Sequence, residues 1–143
     1  WAVFIGDEEM VEYLISQGAS LWATDKDDVY NVFKSAILGN NVNVVKKIHD
    51  LMRSDIELNN QRVEDDGETF IMIAARNNRL DTVRYLISKG ADVNLVTTTQ
   101  DKSLFSYNHS ALSYACQNNL KDMQRLLIRN GAINHITGTT SCH

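Results

Sequence analysis

Asn78-Arg79-Leu80-Asp81-Thr82-Val83-Arg84-Tyr85-Leu86-Ile87-Ser88-Lys89-Gly90-Ala91-Asp92-Val93-Asn94 is the stretch that decides the fold, because imperfect copies of it recur along the chain. Upstream, Glu9-Met10-Val11-Glu12-Tyr13-Leu14-Ile15-Ser16-Gln17-Gly18-Ala19-Ser20 keeps the Val, Leu-Ile, Ser and Gly-Ala positions in register. Downstream, a copy over 122–134 closes on Leu126-Leu127-Ile128-Arg129-Asn130-Gly131-Ala132-Ile133-Asn134. A degraded copy over 40–59 keeps Val45 and Ile48, carries Met52-Arg53 in place of Gly-Ala, and recovers at Asp55-Ile56-Glu57-Leu58-Asn59. Two units fit between Gly18 and Gly90 and one between Gly90 and Gly131, a period of roughly 36 residues, within the range of helical solenoids.

Each unit has the makings of a helix pair. In the third, Thr69 stands as a cap before the short apolar run Phe70, Ile71, Ile73, Ala74 and Ala75. After a tight turn at Asn77-Asn78, Leu80, Val83, Leu86 and Ile87 recur at three- and four-residue spacing, which predicts an amphipathic helix. Gly90 should end it, since glycine takes the left-handed C′ conformation without steric cost. The fourth unit repeats the design with Ser110 as cap, then Ala111, Leu112, Tyr114, Ala115 and Cys116, then Met123, Leu126 and Leu127 before Gly131. The second reads Val32, Phe33, Ala36 and Ile37 followed by Val42, Val44, Val45 and Ile48.

This pattern resembles the ankyrin repeat, whose units run hairpin, short helix, longer helix and Gly-Ala-Asp-Val-Asn. The third unit carries the resemblance best, with Gly67, Thr69, Ala74, Ala75, Leu86 and Gly90-Ala91-Asp92-Val93-Asn94 at family positions. It implies an all-α solenoid of helix-turn-helix units joined by β-hairpin-like loops, one domain over 1–143. The repeats fall at about 1–23 (partial), 24–62 (degenerate), 63–101 and 102–143. The family's Thr-Pro-Leu-His start stands here as Asn31-Val32-Phe33-Lys34, Thr69-Phe70-Ile71-Met72 and Ser110-Ala111-Leu112-Ser113, and the chain has no proline. Without proline at the first helical position and without the histidine hydrogen bond, each hairpin-helix junction should be weakened.

The resemblance also implies a function: capture of a partner protein by the hairpin tips and the exposed side of the short helices, which together line a groove. Register then assigns partner binding to Asp27, Asp28 and Tyr30 at one tip, to Asp65, Asp66 and Glu68 at the next, and to Arg76, His109, Gln117 and Asn118. Carboxylates gather at the tips, while the longer helices carry Lys46, Lys47, Arg84, Lys89, Lys121, Arg125 and Arg129, so a basic partner segment is expected. The competing account is that acidic residues simply suit turns and helix N-termini. The connection over 95–109 is long for the family and bears Leu104, Phe105 and Tyr107; it reads either as a binding finger that blocks an enzyme or as a cover for a neighbouring hairpin. Leu86 before Asn94, and Leu126 before Asn134, have the spacing of the family's asparagine-hydroxylation sites, although the same asparagines suit the repeat's own hairpin hydrogen bonding.

Composition narrows the classes. A chain of 143 residues, 43% hydrophobic, is long enough to bury a core rather than stay disordered. Its formal charge of −4 opposes sequence-independent nucleic-acid binding, and no apolar run spans a bilayer. His49, His109, His135 and His143 are scattered, Cys142-His143 is terminal, and neither a phosphate loop nor a nucleophile elbow occurs. The expectation is therefore a non-enzymatic module without cofactor or metal. Beginning at Trp1 within a repeat, it reads as a monomeric segment of a larger scaffold or adaptor, or as the targeting part of a multidomain enzyme. With only Cys116 and Cys142, the former expected as a small buried thiol in a helix, a reducing, intracellular setting is predicted, cytoplasmic or nuclear.

Overall fold

The computed structural model describes residues 26–39, 41–51, 56–61, 67–98 and 108–142, with 26–29 described for their backbone alone. The regular elements among them are helices: α1 (Lys26–Leu38), α2 (Val42–Leu51), α3 (Phe70–Arg76), α4 (Leu80–Ser88), α5 (Ala111–Gln117) and α6 (Lys121–Arg129). They belong to two compact units, 1–57 and 58–143.

In the first unit α1 packs on α2. Phe33, Ala36 and Ile37 recur at helical spacing and are fully buried, as are Val44, Val45 and Ile48. The His49 ring lies 5.7 Å from that of Phe33. Asn41 opens α2 by accepting the Asn43 N–H on its side-chain oxygen at 3.0 Å. Val32 and Val42, read as core, are half-buried instead. A larger departure concerns the start of α1. Asn31 is expected at the helix cap and the preceding residues at a hairpin tip, yet the helix already begins at Lys26. No glycine or proline interrupts Lys26-Asp27-Asp28-Val29-Tyr30, and two acidic residues suit the first turn of a helix. In the absence of the family's proline nothing stops the helix from growing backwards.

The second unit holds two helix pairs, α3 with α4 and α5 with α6, stacked so that α3 lies on α5 and α4 on α6. Phe70 through Ala75 are all buried, because the short helix α3 is covered on more than one side. From the longer helices, Val83, Leu86, Met123 and Leu127 supply the core. Asn78 and Asn119 take positive φ (57° and 56°) in the turns between paired helices, a conformation asparagine tolerates better than most residues. Gly90 is left-handed at φ 100°, as its place after α4 requires. Gly67 is constrained twice: its φ is +67°, and a Cβ there would collide with Thr98.

Asparagine side chains join successive repeats within this unit. Asn59 donates to the Gly90 carbonyl at 3.2 Å and accepts the Asp92 N–H at 2.7 Å. Asn94 does the same one repeat later, donating to the Gly131 carbonyl and accepting the Ile133 N–H, both at 2.9 Å. The asparagine that closes each repeat thus clasps backbone atoms that follow the next repeat's longer helix. Asn134 departs from the pattern. It is 3% exposed, and its side chain donates to the Ser141 carbonyl at 3.0 Å and accepts the Ile136 N–H at 3.0 Å, both within its own tail.

Helix-junction chemistry departs from the expected weakness at α5 but not at α3. At the family's histidine position, Ser113 accepts the Ser110 N–H (2.8 Å) and donates to the Ser110 carbonyl (3.0 Å), while Ser110 accepts the Ser113 N–H at 3.2 Å. This reciprocal cap replaces the missing imidazole. At the equivalent place in α3, the Thr69 N–H reaches only the Met72 thioether sulfur at 3.4 Å, a weak acceptor, and the buried Thr69 hydroxyl makes no cap bond.

The cysteines are a second correction. Cys116 is not a buried thiol; it forms a disulfide with Cys142, and neither residue is buried. Cys116 lies in the last turn of α5, where its side chain reaches outward to the tail rather than into the core. A reducing setting inferred from a free Cys116 therefore loses its ground.

Candidate partner-binding surface

The short helices and the loops that feed them set the candidate surface. Arg76 and Gln117 close α3 and α5 at equivalent places, and the stacking of these helices brings the two ends to the same side of the second unit. Asn118, the C-cap of α5, and Gln117 are exposed, while Arg76 is half-buried. Glu68 is not free to meet a partner: its carboxylate takes a 2.8 Å hydrogen bond from Arg76 Nε, and its side chain is only 12% exposed. One expected acidic charge and one expected basic charge of the surface cancel each other.

His109 stands beside this pair, at the end of the loop that enters α5. Val96 and Ser110 pair in an antiparallel bridge, the Thr97 N–H donates to the His109 carbonyl (2.8 Å), and the His109 N–H donates to the Thr97 hydroxyl (2.9 Å). The Gln61 side chain donates to the Gly67 and Val96 carbonyls and so ties the segment before α3 to the one that follows α4. The ring of His109 stacks on Tyr114 with centroids 4.6 Å apart, and its Nδ1 lies 3.2 Å from the Ser113 hydroxyl. Burial and then the neighbouring His135 hold the imidazole below its usual value, with Glu68 pulling the other way. At physiological pH His109 therefore presents a neutral, stacked ring.

Several expected site residues do not fall where register put them. Tyr30 is 5% exposed in the core side of α1, so it is no contact residue. Asp27 and Asp28 belong to the first turns of that helix and not to a hairpin tip. Asp65, Asp66, Phe105 and Tyr107 lie outside the described residues, and with them the acidic tip and the aromatic finger.

The charge pattern of the longer helices is also less one-sided than it reads. Asp81 pairs with Arg84 at 2.8 Å and Asp122 with Arg125 at 3.0 Å, all exposed, while the Lys89 ammonium sits 5.7 Å above the Tyr85 ring. Both ion pairs have the three-residue helical spacing that makes them legible from sequence. Tyr114 and His135 carry no functional signal in the sequence; the first is a half-buried aromatic on α5, and the second donates its Nε2–H to the Asn108 carbonyl at 2.7 Å, a contact no local pattern announces. Asn94, the candidate for hydroxylation, has its amide engaged with the next repeat through both its oxygen and its nitrogen, which favours the structural role. Among the described residues no three His, Cys, Asp or Glu side chains gather as metal ligands, and no helix is long and apolar enough to cross a membrane.

Helix pairs, left-handed glycine stops and asparagine clasps define an all-α repeat solenoid, a class of protein-binding module. The chain belongs to the ankyrin-repeat family, whose three-copy model matches residues 1–137. It is 34% identical over 85 residues to the ankyrin repeat and KH domain-containing protein mask-1 of Caenorhabditis elegans, covering 59% of this chain and 3% of that protein. It is 35% identical over 68 residues to the putative ankyrin repeat protein FPV031 of Fowlpox virus (strain NVSL), covering 48% of this chain and 18% of that one. The chain thus spans less than a fifth of either relative. Among solved structures it is similar to the complex of the Bd0816 predatory endopeptidase of Bdellovibrio bacteriovorus with immunity protein Bd3460. That match has a TM-score of 0.61 and 25% identity, and covers 90% of this chain and 61% of the other.

Proposed function

We propose that this chain is the partner-capturing part of a larger scaffold or adaptor protein, and that it holds a basic segment of another protein by non-covalent contact rather than by catalysis. The observation that carries this is the side-by-side presentation of the α3 and α5 ends, Arg76, Gln117 and Asn118; the sequence adds the acidic run Glu64-Asp65-Asp66 ahead of Gly67. With Glu68 neutralised by Arg76, the negative charge the reading relies on is that of the sequence run Glu64-Asp65-Asp66, and complementary potential speeds encounter with a cationic segment. Relatives longer than this chain support its place in a larger polypeptide. An intracellular setting, cytoplasmic or nuclear, goes with the proposal.

The test is selection from a peptide library of mixed charge, followed by anisotropy titration of a Lys/Arg-rich peptide. Reversal of Asp65 and Asp66 to Lys should weaken binding at least tenfold, and raising the salt should weaken it for the unmodified chain. Equal recovery of acidic and basic peptides would end the proposal. A second function, inhibition of an enzyme by the 95–109 segment, is supported by the similarity to a complex of an endopeptidase with its immunity protein. Under that alternative, Phe105→Ala with Tyr107→Ala abolishes inhibition and spares peptide capture.

A further inference from the structure

We propose that His109 is a specificity-determining contact of the capture surface, a neutral imidazole fixed in its Nδ1–H form whose Nε2 lone pair accepts a hydrogen bond from a cationic side chain of the partner. This role rests on the capture of a basic segment proposed above. Hydrogen-bond accounting fixes the tautomer. A serine hydroxyl has one proton and two lone pairs. Ser113 spends the proton on the Ser110 carbonyl at 3.0 Å and one lone pair on the Ser110 N–H at 2.8 Å. Only a lone pair is left for the contact with His109 Nδ1 at 3.2 Å, so Nδ1 brings the hydrogen. A neutral ring protonated at Nδ1 has a bare Nε2. Among the described residues no group bonds that nitrogen, and His109 is only half-buried, so the lone pair is open to a ligand.

The ring is also held still. Thr97 binds the His109 backbone on both sides, its N–H on the carbonyl and its hydroxyl on the N–H. Tyr114 lies against one face, with the ring planes 20° apart. An acceptor positioned before the partner arrives costs little ordering on binding.

The charged and titratable groups around the ring select the ligand. Glu68, with Arg76 bound to it, faces it from the start and end of α3, Tyr114 from α5, and His135 from the segment that follows α6. Glu68 is the anion among them, and the acidic run Glu64-Asp65-Asp66 precedes it in the sequence, so a cationic donor is favoured. A carboxylate or phosphate would set its own lone pair against that of Nε2. Protonation of Nε2 removes the acceptor and adds a charge of the ligand's own sign. Capture should therefore be complete while the ring is neutral and weaken by up to about tenfold for each pH unit below the His109 midpoint. By the same linkage, the ligand should lower that midpoint.

The experiment joins long-range proton–nitrogen NMR of the complete chain to anisotropy titration of a histidine-free Lys/Arg peptide. The titration runs from about pH 7.5 to about pH 5, where ordinary carboxylates stay ionised. At the upper end the His109 spectrum should show a protonated Nδ1 and a bare Nε2. Affinity should fall as the ring titrates, and saturating peptide should move the His109 midpoint down. His109→Gln, which places an acceptor without a titrating group, should bind with a flat pH profile. His109→Phe, which keeps the stack, should weaken binding about tenfold or more, the loss expected for a hydrogen bond to a charged group. If a variant fails to fold by circular dichroism, the spectra and pH profile of the unmodified chain decide alone. A protonated Nε2, or peptide capture that neither follows nor shifts the His109 titration, would overturn this role and leave basic-segment capture standing. Equal binding of acidic and basic peptides at every pH would overturn both.

Discussion

At the residue scale, one asparagine amide spans two repeats and therefore weighs more than its exposure suggests. Asn94→Ala removes a donor from the Gly131 carbonyl and an acceptor from the Ile133 N–H. We expect a loss of about 1–2 kcal/mol, read from urea unfolding, because two net bonds of about 1 kcal/mol are lost where water partly replaces them. Asn94→Asp keeps an acceptor but turns a carboxylate toward the carbonyl, so it should not rescue the loss. His109 gives a second test. Its folded pKa lies below the usual 6.5, so the unfolded chain takes up a proton first as pH falls. The stability it contributes is complete above 6.5 and is lost as pH falls through the lowered folded value. An NMR titration should place its midpoint below 6.5, His135→Ala should raise that midpoint and Glu68→Gln should lower it.

At the element scale, the helix that begins too early is the informative one. Restoring the family's proline in register, Val32→Pro, would be harmless if α1 began at Asn31. With α1 running Lys26–Leu38, position 32 is interior, and proline there removes a hydrogen bond and clashes with the preceding turn. We expect a loss of about 3 kcal/mol from thermal or urea unfolding. Ala111→Pro, at the true first position of α5, should cost far less. The contrast explains what was legible in the sequence. Helix pairs, the Asn77-Asn78 turn and the Gly90 stop were readable because each depends on a few neighbouring residues with strong local preferences. The start of α1 was not, since it depends on a breaker that is missing, and an absence leaves no mark of its own. The Glu68–Arg76 pair and the His109–Tyr114 stack were equally hidden: Glu68, Arg76 and His109 read as surface and Tyr114 as part of the short helix, but their mutual distances arise only once hairpin and short helix are folded.

At the scale of the whole molecule, the two cysteines were the least readable feature. They lie 26 residues apart, and pairing them needs the tail to turn back on α5, which no periodicity encodes. Chain-entropy reasoning for a loop of this size gives roughly 3 kcal/mol of stabilisation, so a dithiol should lower the urea midpoint of the second unit measurably. The same midpoint in Cys142→Ser should not respond to the dithiol.

The asparagine clasps carry a consequence for how such a chain changes over generations. Each one addresses the repeat after it through a peptide oxygen and a peptide nitrogen, atoms that every sequence possesses. Excising or duplicating the span between Asn59 and Asn94 would leave one asparagine facing a glycine stop much like the one it lost. Side chains can then drift to suit new targets, and copies can be gained or dropped, without rewriting the joints between them.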